Sequence, residues 1–97
     1  MVGIVLITHG ELANTLISTA ESITGKIEGI MPVAIKQGDS AEDMRQAVSA
    51  AIKAVDKGSG ALILTDMFGG TPSNISLSFL EDGRVDVVTG VNLPMLL

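Results

Sequence analysis

Apolar residues along the 97-residue chain follow two alternating rhythms. The first is a short uninterrupted run, residues 2–7 (VGIVLI), of the kind expected for a strand buried on both faces of a parallel sheet. Beyond Gly10 the period changes: Leu12, Leu16, Ala20 and Ile23 recur at helical spacing, and Gly25 is placed to end that helix as a left-handed C-cap. Residues 30–35 read as a second strand, and Pro32 assigns it to a sheet edge, where a missing amide donor is tolerated. After a polar turn at 37–40, Ser40 followed three residues later by Asp43 resembles a capping box with Asp in place of Glu. Met44, Ala47, Val48, Ala51, Ile52 and Val55 then form the cleanest helical stripe of the chain.

The alternation continues past the breaker DKGSG (56–60). Residues 61–65 are a third apolar strand ending at Asp66, and Thr71-Pro72 is an N-cap and N1 pair that opens a less regular helix to about residue 80. EDGR (81–84) makes a tight turn, residues 85–89 a fourth strand, and Asn92, Leu93 and Pro94 the opening of a fourth helix cut off by the chain end. Strands alternating with helices imply right-handed crossovers. The predicted fold is an α/β three-layer sandwich: a parallel four-stranded sheet, order 2-1-3-4, with helices on both faces. Ligands of such sheets sit outside the carboxyl ends of the strands, where strand order reverses. Here the reversal falls between strands 1 and 3, which end at His9, the only histidine of the chain, and Asp66.

Composition narrows the class. The chain is 46% hydrophobic with Phe68 and Phe79 as its only aromatics, so the core is aliphatic and no base-stacking platform exists. Eleven acidic and six scattered basic residues give a formal charge of −5, against the clustered cations that nucleic-acid binding requires. The absence of cysteine removes disulfides and thiol chemistry and fits a reducing compartment. The first apolar run follows no basic segment, and no stretch approaches the ~20 apolar residues of a membrane helix. A cytoplasmic protein without membrane insertion is the expectation.

A neutral imidazole is a nucleophile through one nitrogen when the other donates its proton to a fixed acceptor. His9 and Asp66 supply that pair. Two helix N-termini, at residues 10–12 and 70–73, add backbone amides and dipole ends that favour an anion. Gly69 and Gly70 let the backbone come close to it, and Thr71 offers a hydroxyl. Together these describe a site that holds a phosphoryl group on histidine. Singly, each has a plainer role: His9 as a turn or capping residue, Asp66 as a turn residue, Gly69-Gly70 as an ordinary loop, Thr71 as an N-cap. Met67 and Phe68 either fold onto the core or form an apolar docking rim beside the site. No P-loop, GxSxG elbow or GxGxxG fingerprint is present. One His and one nearby Asp fall short of a metal site, and the acidic pair that a phosphoaspartate receiver needs after strand 1 is replaced by Thr8 and His9.

GIVLITHGELA (3–13), LILTDMFGGTPSN (62–74) and VDVVTGVNLPML (85–96) together resemble the IIA component of the mannose family of the bacterial sugar phosphotransferase system. The similarity runs through the whole chain in order. It implies a phosphoryl carrier in which His9 accepts phosphate from the phosphohistidine of HPr and passes it to the family's IIB domain, which phosphorylates the sugar during uptake through a membrane complex. By the same resemblance His9 carries the phosphate on Nε2, Asp66 orients Nδ1, Gly10, Gly69, Gly70 and Thr71 contact the phosphoryl group, and Asn92 lines the pocket. No metal or other cofactor is required. Family members continue through a full fourth helix and a further strand, often exchanged within a homodimer; this chain reads as one domain, 1–97, that stops before them. Two other readings stay open. One is a regulatory module switched by His9 phosphorylation. The other is the phosphotransferase-linked dihydroxyacetone kinase subunit, whose opening motif has Ser where Gly10 stands here.

Overall fold

The computed structural model describes residues 2–36, 38–66 and 85–97. Four parallel strands, β1 (Gly3–His9), β2 (Ile30–Ile35), β3 (Ala61–Thr65) and β4 (Val85–Thr89), form one sheet in the order β2-β1-β3-β4, as the alternation of the sequence predicts. Helices α1 (Leu12–Thr24) and α2 (Ala41–Val55) cover opposite faces, and a short α3 (Leu93–Leu96) follows β4. The expected third helix at 71–80 and the turn at 81–84 lie outside the described residues. Among the described residues no helix is long and apolar enough to cross a membrane.

β1 is central, and residues 5–8 are wholly buried because both of its neighbours and both helical layers enclose it. Alternation along the strand sends Val5 and Ile7 into the cluster beneath α2, with Val33, Val48 and Ile63. Leu6 faces the cluster beneath α1, with Ala13, Ile17 and Leu64. Pro32 lies on the edge strand, as expected. The amides of Ile4 and Gly10 donate to the carbonyls of Gly29 and Ile35. Odd-numbered residues of β2 therefore face β1, and Pro32 belongs to the outward set, where a missing N–H breaks no ladder bond.

The stripe read for α1 holds in its middle, where Ala20 is buried and Leu16 packs against the core, and fails at its two ends. Ala13, Ile17 and Ala20 are buried, whereas Leu12 and Ile23 are exposed by 43% and 59%. The cause is local: the buried Thr8 hydroxyl accepts the Ala13 amide at 2.8 Å, turning Ala13 rather than Leu12 toward the sheet. In α2 the predicted stripe packs as expected at Val48, Ala51 and Val55, with Ala47 left outside. Its Ser40 cap accepts the Asp43 amide at 3.0 Å. Gly25 does end α1 at a positive φ of 90°, but with ψ of −178°, an extended conformation rather than the left-handed helical cap.

Candidate functional site

The reversal of strand order opens at the carboxyl ends of β1 and β3. His9 is the last residue of β1, in the alternation of Val5 and Ile7, and therefore on the α2 side; Thr8, one residue earlier, points to the α1 side and anchors that helix. Asp66 directly follows β3. Its Oδ2 accepts the His9 main-chain amide at 3.0 Å and meets the His9 ring Nδ1 at 3.0 Å, across 57 residues of sequence. The ring is half exposed, 49%, while the carboxylate is only 14% exposed.

Burial raises the Asp66 pKa, but the His9 amide, the ring hydrogen bond, the ring's charge and Asp66's own main chain together outweigh it, leaving the carboxyl below its ordinary value. An ionised carboxylate only accepts hydrogen bonds. The contact therefore selects the tautomer in which Nδ1 carries the proton and donates it to Asp66. The Nε2 lone pair is left for chemistry. Asp66 Oδ1 is buried and has no hydrogen-bond partner among the described residues, while Oδ2 takes both contacts from His9.

Gly10 adopts a left-handed φ of 58°, which lets the chain turn sharply out of β1. Its amide is not free, since it donates to the Ile35 carbonyl at 2.9 Å and extends the β1–β2 ladder by one step. The amides at this helix start without an acceptor among the described residues are those of Glu11, Leu12 and Asn14. Asn92 serves as the N-cap of α3, its side chain accepting the Met95 amide at 3.2 Å. Met67, Phe68, Gly69, Gly70 and Thr71 lie outside the described residues.

Beside the imidazole an open cleft of about 610 Å³ separates His9 and Gly10 from the turn after β2, whose Lys36, Gly38 and Asp39 line it with Met44 of α2. Sequence reasoning passed over two residues. Thr8 enters the sequence reading only as the neighbour of His9; its signal is a hydroxyl residue placed just before a helix whose nominal cap, Glu11, makes no side-chain cap bond. Lys36 carried a weaker signal, a cation directly after a strand that ends beside the reversal point.

Comparison with known proteins agrees with this geometry. A family model described as "PTS system fructose IIA component" matches residues 3–97. The fructose-specific EIIA component of Bacillus subtilis (strain 168) is 33% identical over 98 residues, covering 100% of this chain and 67% of that protein. The mannose-specific EIIAB component of Escherichia coli (strain K12) is 34% identical over 96 residues, 98% of this chain but 30% of that protein. Among solved structures, phosphotransferase system component EIIA from Streptococcus agalactiae superposes with a TM-score of 0.86 at 31% identity, covering 99% of this chain and 74% of that one. The PTS IIA protein associated with the fucose utilization operon of Streptococcus pneumoniae gives 0.88 at 31%, covering 97% and 72%. The chain thus spans about two thirds of the B. subtilis relative and less than a third of the E. coli one. With the whole described fold and the histidine-bearing strand inside the matched region, this chain belongs to the PTS EIIA family of the mannose, fructose and sorbose type, components of the bacterial sugar phosphotransferase system.

Proposed function

We propose that His9 carries a phosphoryl group on Nε2, taking it from the phosphohistidine of HPr and passing it to a IIB domain of the same system for sugar uptake. The observation that carries this reading is the 3.0 Å contact between His9 Nδ1 and Asp66 Oδ2, which leaves Nε2 as the nucleophile on a half-exposed ring. In acceptance, the Nε2 lone pair forms the new P–N bond as the bond from phosphorus to the donor imidazole breaks and its electron pair returns to the donor ring. Nδ1 keeps its proton throughout, and the cationic ring that results faces the Asp66 carboxylate. Donation to the IIB domain reverses these roles. Transfer of this kind is mainly positioning and charge stabilisation in a loose transition state, so a phosphoimidazole donor requires neither metal nor cofactor.

In the same reading the glycines and hydroxyl of Gly69, Gly70 and Thr71 cradle the phosphoryl group, Asn92 lines the pocket, and Met67 and Phe68 form the docking rim. The protein works in the cytoplasm, docked to a membrane complex without entering the bilayer. No sugar is assigned, because relatives named for fructose and for mannose match at nearly the same identity, 33% and 34%.

The test is direct. HPr with its phosphodonor should label the chain with an acid-labile, base-stable phosphate, His9→Gln should remove the label, and the label should pass to a IIB domain. Labelling retained in His9→Gln, or label that never leaves for IIB, overturns the reading.

A further inference from the structure

We infer that Lys36 is a second positioning group for this transfer, reaching across the cleft to hold the phosphoryl group carried by His9; the inference rests on the phosphocarrier reading of that histidine. Ile35 of β2 is the register partner of His9, and neighbouring strands lie about 4.8 Å apart, so the chain leaves β2 at Lys36 next to the end of β1. It lines the same cleft as the ring.

The main chain around Lys36 closes on itself. The Lys36 amide donates to Asp39 Oδ2 at 2.8 Å, and the Asp39 amide donates to the Lys36 carbonyl at 3.1 Å. Gly38, at a φ of 93°, permits the tight return. These bonds hold the base of the lysine while using none of its side chain, which is exposed and has no ion-pair partner among the described residues.

Charge makes the assignment specific. A phosphoryl group arriving on His9 brings additional negative charge next to the ionised Asp66 and within a cleft that Asp39 also lines. Of the described residues lining the cleft, Lys36 is the one cation. The Asp39 carboxylate accepts the Lys36 main-chain amide and so caps the turn. A flexible four-carbon stem carrying a compact cation suits a group that must follow phosphorus from donor to ring.

The experiment compares wild type, Lys36→Gln and Lys36→Arg with two donors: phospho-HPr, and phosphoramidate, a small molecule that phosphorylates histidine without a protein partner. Lys36→Gln should lower the labelling rate with both donors by about tenfold, less than the ~10²–10³ lost with an enclosed transition-state donor, because the cleft is open to water. With HPr the loss should fall on kcat while KM stays near wild type. Lys36→Arg should recover most of the rate, and the ³¹P resonance of the phosphohistidine should move in Lys36→Gln.

Wild-type labelling rates in Lys36→Gln with both donors would overturn the inference. So would a rise in KM for HPr with phosphoramidate labelling unchanged, which makes the lysine a docking residue. Labelling by phosphoramidate alone would defeat the HPr route while still measuring Lys36 with the small donor. Failure of both donors on wild type would remove the phosphocarrier reading and this inference together.

Discussion

Asp66 grips His9 twice: one carboxylate oxygen, Oδ2, accepts both the main-chain amide and the ring Nδ1 of the histidine, each at 3.0 Å. The first bond ties the ends of β1 and β3 together, and the second chooses the tautomer of the imidazole. A single side chain thus links sheet geometry to the protonation of the imidazole.

Asp66→Asn separates the two tasks. An amide can still accept one hydrogen bond through its oxygen, but it no longer offers a charge to the ring that the proposed phosphorylation makes cationic. Loss of roughly 10²-fold or more in the rate of phosphoryl acceptance is expected, in the range typical of groups that set a histidine's protonation. Rapid-quench labelling measures the rate. Nitrogen chemical shifts of the imidazole should report a mixture of tautomers in the variant and Nδ1–H alone in the wild type.

The same carboxylate sets a pH dependence of stability. Its folded-state pKa lies below the ordinary carboxylate value, so the unfolded chain binds its proton first as pH falls. The stabilisation is complete above the ordinary value and disappears as pH drops through the folded value. The part of the stability gap between wild type and Asp66→Asn that comes from this carboxylate's charge should therefore close as pH falls below about 5. Urea unfolding across that range checks it; a gap that widens in acid would contradict the sign.

Thr8 is fully buried, and its hydroxyl accepts the Ala13 amide at 2.8 Å. Thr8→Val keeps the shape but leaves a buried amide unpaired, and should cost about 1–2 kcal/mol. Thr8→Ser, which retains the hydroxyl, should cost less. Equilibrium unfolding ranks the two, and a larger loss in Thr8→Ser than in Thr8→Val would show that the methyl group, not the cap, is what matters.

Gly3 is required for a different reason. A Cβ there would sit 2.3 Å from the Val55 carbonyl oxygen, a main-chain atom that cannot swing away as a side chain can. Gly3→Ala should destabilise by about 1–3 kcal/mol through forced separation of β1 from the end of α2. The shift in urea midpoint measures it.

The strands, their order and the capped helix α2 were legible in the residue order because each rests on short-range chemistry. A β-branched run, a Ser40 hydroxyl three residues from the amide it accepts, and Pro32 at an edge all act within a few positions of themselves. Even the pairing of His9 with Asp66 could be anticipated, since it follows from strand order once the alternation is known. The residue that opens the buried stripe of α1 could not. Leu12 and Ala13 compete for the sheet on nearly equal terms in sequence, and the bond from the Ala13 amide to Thr8, made only when strand and helix meet, decides between them. The Gly10 amide is likewise committed to Ile35 by a ladder that joins residues 25 apart. Lys36 owes its position next to the end of β1 to that same ladder. Periodicity records which faces a segment can bury; which face it does bury is settled by bonds made only when the folded elements meet.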